Sequence, residues 1–195
     1  MGKEKYQKEI EALFKKSPVV SLNSISRIIK SKKNVKQYQK QLIKNLIDKG
    51  KIAKLSRGCY TIYEDISLIV FCFKPSYLGL QNAMSFHNLW EQETNPVVIT
   101  TQNLRGGIRK VFDRNVIIRK IDKKYIFGFE YYKDGDFYLP YSDIEKTFID
   151  MVYFRQKIDK EVLREIIKRI NKKKLNSYLK YYPERFRKKV IGLLA

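Results

Sequence analysis

From the start of the chain to about residue 48, apolar positions recur every three to four residues, and this period predicts three helices. The first covers residues 3–16, with Tyr6, Ile10, Leu13 and Phe14 on one side. "KKSPVVS" ends it, since Pro18 cannot continue a helix. The second, residues 22–30, turns Leu22, Ile25, Ile28 and Ile29 inward, with Ser21 as its N-cap. The third covers residues 35–48; Asn34 and Gln37 have the spacing of a capping box at its start, and Gly50 closes it. At about 100° per residue, Val35, Tyr38, Leu42 and Leu46 share one face, with Ile43 and Ile47 on its shoulder. Gln37, Lys40, Gln41 and Lys44 lie opposite. "KIAKL" and "CYTIY" then alternate apolar and polar residues around "SRG", a hairpin with Arg57 at its tip. Three helices followed by a hairpin predict a winged helix-turn-helix over residues 1–63.

The pattern changes after residue 63. "ISLIVFCF", residues 66–73, reads as a buried strand, and Ser76 as the cap of a helix over about 78–90. "PVVITTQ" is a β-branched strand, while "RNVIIRKI" and "KYIFGFEYY" read as two strands joined by "DKK". Asp134-Gly135 marks a hairpin turn, and Ser142 with Glu145 forms a capping box for a helix over 143–156. The remainder, about 157–195, is helical. Leu163, Ile166, Ile167 and Ile170 mark one stripe; Leu175, Tyr178, Leu179 and Tyr182 mark a second. Pro183 sets off a last helix around Phe186, Val190 and Leu194. The expected fold class is α+β: an N-terminal winged helix-turn-helix, then residues 64–195 as a central antiparallel-sheet α+β region with a helical C-terminus.

Charge sharpens this picture. The net charge is +21, and it is uneven. Residues 1–58 hold 16 Lys/Arg against 4 Asp/Glu, residues 59–150 hold 11 against 12, and residues 151–195 hold 14 against 4. A neutral middle between two basic ends points to a polyanionic partner at the ends. From Ala12 to Ile47 there are nine Lys/Arg and no acid. Solvated helix faces usually mix both signs, whereas a helix lying in the major groove excludes acids that phosphate would repel. Lysine neutralises phosphate and glutamine pairs bidentately with adenine. The candidate DNA-binding residues are therefore Lys36, Gln37, Lys40, Gln41, Lys44, Lys54 and Arg57. The basic segments lack the Trp/Phe-rich face of a membrane-surface helix. The longest apolar run is too short to span a bilayer, and "MGKEKYQKEI" has no apolar signal region. A cytoplasmic protein is expected.

Catalytic material is sparse. His87 is the single histidine, expected at a helix end with its ring near carbonyls. Cys59 and Cys72 fit neither a disulfide framework nor a metal spacing. Cys59 is expected as a buried cysteine of the wing, with Arg57 nearby as a means of lowering its pKa. Asp113 with Asp122-Lys123-Lys124 suggests, as an alternative, a metal-dependent nuclease in which carboxylates hold Mg²⁺. Local turn and cap roles account for the same residues. Asp150 is expected to pair with Arg155 or a C-terminal lysine. Tyr131, Tyr132, Tyr138 and Tyr141 suit either stacking on unpaired bases or cross-strand packing. A non-specific architectural DNA binder is a further alternative. No enzyme activity, metal or cofactor is expected.

The segment "LIDKGKIAKLSRGCYTI" resembles the AbiEi family of type IV toxin–antitoxin antitoxins and transcriptional regulators, whose winged helix closes on an "L..kG.I.rl.rG.Y" phrase. "SYLGLQNAMSFHNL", "PVVITTQ" and "YSDIEKTFIDMVYF" are similar to that family's later segments in the same order, so the resemblance spans about residues 5–155. Asn88 stands where the family pattern has Gly, and the C-terminal part is short and very basic. The resemblance implies autoregulation through an inverted repeat in the protein's own promoter, with two copies on DNA. It also implies antitoxin activity against a nucleotidyltransferase-like toxin. It assigns DNA contacts to Gln37, Lys40, Gln41, Lys44 and Arg57.

Overall fold

The computed structural model describes residues 6–29, 35–92 and 94–194. The chain divides into two compact units: Met1–Cys72 with Lys110–Arg114, and Phe73–Arg109 with Asn115–Ala195.

The first unit opens with α1 (Gln7–Lys16), β1 (Val20–Ser21), α2 (Leu22–Ile28) and α3 (Val35–Asp48). β2 (Ala53–Ser56) and β3 (Cys59–Thr61) follow, and the three antiparallel strands lie in the order β1-β3-β2. This is the winged helix-turn-helix that the apolar period predicts. Its core is Tyr6, Ile10, Phe14, Val20, Ile25, Ile29, Leu42, Ile43, Leu46, Ile52 and Tyr60, drawn from all three helices and the wing. Ser21 caps α2 as expected, its Oγ accepting from the Ser24 N–H at 3.1 Å. Gly50, at φ 65°, ends α3 in a left-handed turn: its N–H donates to Ile47 O, and the Lys51 N–H to Leu46 O. The capping box expected at Asn34 lies outside the described residues.

Ile66–Phe73 is not a strand but a 3₁₀-helical segment. An unbroken apolar run has no period to reveal its geometry. Asp65 starts the coil, accepting the Ser67 N–H on its carboxylate at 2.8 Å and the Leu68 N–H on its carbonyl at 3.3 Å.

A six-stranded sheet, most of it in the second unit, comprises β4 (Ser76–Leu78), β5 (Val97–Thr100), β6 (Gly107–Val111), β7 (Arg114–Lys120), β8 (Phe129–Asp134) and β9 (Phe137–Ser142). Their order is β6-β7-β5-β4-β9-β8. β4–β5 and β8–β9 are antiparallel, whereas β4–β9 and β5–β7 are parallel. β7 and β8 are thus not the hairpin suggested by "DKK". Asp122 caps a short 3₁₀ turn, Lys123–Tyr125, and buried Tyr125 stacks on Tyr182 at 4.1 Å. β8 starts only after Gly128, whose φ of 69° no β strand shares.

The expected helix over 78–90 is shorter. Ser76 belongs to β4, and α4 (Leu80–Phe86) follows Gly79. A Cβ at Gly79 would stand 2.5 Å from the Ile99 side chain, which would have to shift to admit it. Asn88, at φ 54°, closes α4, with the Asn88 N–H donating to Ser85 O and the Leu89 N–H to Met84 O. α5 (Ile144–Tyr153) is capped by Asp143 rather than Ser142, the Lys146 N–H donating to Asp143 Oδ1 at 2.7 Å. Ser142 Oγ instead meets Thr147 Oγ1 at 2.7 Å, and Glu145 accepts the Asn171 N–H. α6 (Lys160–Arg169), α7 (Lys172–Leu179) and α8 (Glu184–Gly192) complete the unit. Ile166, Ile170, Leu175, Leu179, Tyr182 and Val190 join α5 in one core, as the C-terminal stripes predict.

Candidate nucleic-acid interface

α3 has two unlike sides. Leu42, Ile43 and Leu46 are buried, while Gln37, Lys40, Gln41 and Lys44 are exposed. The inner side also holds Gln39, only 6% exposed. Its Nε2 donates to Leu22 O at 3.0 Å and to Ser26 Oγ at 2.5 Å. A buried amide satisfied by two groups of α2 fixes both the roll of α3 and the α2–α3 approach. Sequence reasoning missed Gln39, although four residues after Val35 and three before Leu42 it stands on the apolar face.

The wing is anchored to the same helix pair. Ser56 pairs with Cys59 across a two-residue Arg57–Gly58 turn, Gly58 has φ 77°, and the Leu22 N–H donates to Gly58 O at 2.7 Å. Arg57 and Lys54 are exposed. Among the described residues, Lys40, Lys44, Lys54 and Arg57 make no ion pair, whereas Lys51 pairs with Glu11 at 3.5 Å. Gln41 donates from Nε2 to Asn45 Oδ1 at 2.9 Å, which leaves its carbonyl oxygen and second N–H free. The side chain of Lys36 lies outside the described residues.

Cys59 follows the wing turn and is half-buried, not fully enclosed. Its thiol is lowered from the usual range, and the cause is Cys72 rather than Arg57: the Cys72 S–H bonds to Cys59 sulfur, outweighing burial. The same bond, with burial, raises Cys72. Iodoacetamide at neutral pH should alkylate Cys59 before Cys72, an order that peptide mass spectrometry over time would read. Equal rates, or Cys72 reacting first, would refute this assignment.

The carboxylates of the nuclease alternative do local work. Asp113 sits in the exposed β6–β7 turn at φ 59°, and Asp122 accepts the Lys124 N–H at 3.1 Å as a cap. Among the described residues, no three His, Cys, Asp or Glu side chains form a metal-binding group. Asp150 pairs with Lys146 of its own helix, not with Arg155 or a C-terminal lysine, and accepts the Tyr77 hydroxyl at 2.6 Å. His87 does end α4, its Nε2 2.7 Å from Ser142 O, and burial lowers its pKa. Tyr141 stacks on Phe86 at 4.1 Å and Tyr132 meets the His87 ring edge-on; Tyr131 and Tyr138 stay exposed.

No protein-family model matches the chain, and no curated protein matches it in sequence. Solved structures that do match include the RV2827C protein of Mycobacterium tuberculosis. That match has a TM-score of 0.56 and 10% identity, covering 97% of this chain and 75% of that one. At this identity the likeness concerns the fold alone. No helix among the described residues is long and apolar enough to cross a membrane.

Proposed function

We propose that this chain is a sequence-specific DNA-binding regulator of antitoxin type that represses its own promoter. One observation carries the reading: the outward face of α3 bears exposed Gln37, Lys40, Gln41 and Lys44 without an ion pair, while its inner face is bolted to α2. A free cation aimed at solvent from a rigid helix suits a phosphate rail, and a glutamine between two lysines suits a base edge. Arg57 at the wing turn suits phosphate or a narrow minor groove. Two copies on an inverted repeat would place their third helices in successive major grooves and occlude a promoter without chemistry.

The antitoxin part rests on the AbiEi resemblance, with a nucleotidyltransferase-like toxin as functional partner. Asn88 departs from the glycine of that pattern, at a left-handed position that asparagine also tolerates. The test is fluorescence anisotropy at about 150 mM salt, comparing the gene's upstream region with a shuffled duplex. A preference of at least about a thousandfold is expected for a specific regulator. Equal affinity for both would remove specific repression and leave the non-specific architectural binder.

A further inference from the structure

A second basic feature lies in the other unit. Two cavities, about 270 and 490 Å³, share Val152, Arg155 and Lys189. The smaller has an apolar floor that includes Ile158, Leu163 and Leu193. The larger is walled by Tyr153 and Phe186 and adds Arg185. Arg155, Arg185 and Lys189 are exposed and make no ion pair among the described residues. Neighbouring cations behave otherwise: Lys157 pairs with Asp159 at 3.0 Å and Lys188 with Glu184 at 2.8 Å. Lys157 and Lys188 beside the cleft are thus paired with acids, and the three cations lining it are not.

Arg155 is also oddly placed. It closes α5 at φ 54°, with its N–H donating to Val152 O and the Gln156 N–H to Met151 O. Glycine is the residue that such a helix end favours. An arginine here brings a guanidinium to the shared rim of both cavities at a conformational cost. Phe186 ends a row of rings, stacked on Tyr182 at 4.9 Å, which is stacked on Tyr125 at 4.1 Å.

We propose that this cleft binds a nucleotide unit, with an unpaired base against the Tyr153–Phe186 wall and its phosphates on Arg155, Arg185 and Lys189. Three free cations call for more than one negative charge, and guanidinium groups match phosphate oxygens. The apolar floor and aromatic wall call for a flat ring, which a bare anion lacks. A duplex keeps its base faces stacked inside, so the ligand is a free nucleotide or an unpaired stretch of nucleic acid.

The experiment uses the full chain carrying Lys40→Ala and Lys44→Ala, so that α3 contributes little. ATP, inorganic tripolyphosphate and a fluorescein-labelled oligothymidylate of about ten nucleotides are titrated separately. ATP or the oligonucleotide is expected to bind below about 1 mM, and ATP at least about fivefold tighter than tripolyphosphate. Binding of ATP identifies a free nucleotide as sufficient; binding of the strand alone identifies single-stranded nucleic acid. Arg155→Gly suits the left-handed position, so it keeps the fold, checked by thermal melting, while removing the guanidinium. It and Lys189→Gln should each weaken binding about tenfold, with Arg155→Lys losing less. No binding of either probe at about 1 mM, or unchanged affinity in Arg155→Gly and Lys189→Gln, overturns the proposal. Neither result bears on α3 and duplex DNA.

Discussion

Asp150→Ala should destabilise the second unit by about 3–5 kcal/mol. Lys146 and Asp150 are both fully buried and form an i,i+4 ion pair. Asp150 Oδ2 also accepts the Tyr77 hydroxyl at 2.6 Å, and Lys146 Nζ lies 3.3 Å from Tyr182 Oη. Each charge is tolerated in the core because the other is present. Removing the carboxylate leaves an ammonium whose remaining polar partner is one phenol, and orphans the Tyr77 hydroxyl. Burial already pulls Lys146 below its usual range and pushes Asp150 above its own, against the attraction within the pair. The pH dependence follows from the lysine. A folded-state pKa below the unfolded 10.5 means that the native state binds fewer protons, so stability rises with pH between the depressed value and 10.5. Without Asp150 that value falls further, because the carboxylate was raising it. Melts of Asp150→Ala should thus recover part of the loss from neutral pH towards about pH 10. Lys146→Met with Asp150→Leu should restore part of the stability, since an apolar pair leaves no charge unpaired although the Tyr77 hydroxyl still lacks its acceptor. A single variant within about 1 kcal/mol of the parent would mean that water reaches the pair.

The ion pair also marks how far the sequence could be read. The 3.6-residue period found α1, α2, α3 and the C-terminal helices because each buries a continuous stripe, and the Ser21 cap and Gly50 stop are local signals. Where the deciding partner is distant, reading failed. β7 pairs with β5 in parallel, and nothing in "RNVIIRKI" encodes that neighbour, whereas the Asp134-Gly135 turn does mark the β8–β9 hairpin, in which Asp134 pairs with Phe137. Ile66–Phe73 is apolar but for Ser67 and shows no clear period, and its coil starts at Asp65. The sequence suggests Arg155 or a C-terminal lysine as the partner of Asp150, yet the partner lies one turn back at Lys146, because a lysine inside an apolar helix suggests solvent until its burial is known. At the candidate interface the exposed cations were legible from the helical angle. Gln39, which holds them in place, was not, since glutamine on an apolar stripe reads as a lapse in the pattern.

Phosphate contacts and base contacts should separate cleanly on α3. Lys40→Ala and Lys44→Ala are each expected to weaken binding to operator and shuffled duplex by the same factor. Each should also flatten the slope of log K against log salt by about one, as for a lost phosphate contact. Gln37→Ala should leave that slope alone and relax preference at one base pair, at a cost of about 1–3 kcal/mol on the operator only. Gln41→Ala should act the same way but less strongly. Gln41 spends one amide N–H on Asn45, whereas Gln37 makes no side-chain hydrogen bond among the described residues. All four side chains are exposed, so melting temperatures should stay near that of the parent, which separates loss of binding from loss of fold. The two residue types thus give opposite signatures on the same helix. A generally basic surface predicts only the lysine signature, with the glutamines silent. If Gln37→Ala leaves the operator-to-shuffled ratio unchanged while the lysine variants lower both affinities, α3 neutralises DNA without reading it. If neither lysine alters the salt slope, α3 does not meet the backbone at all.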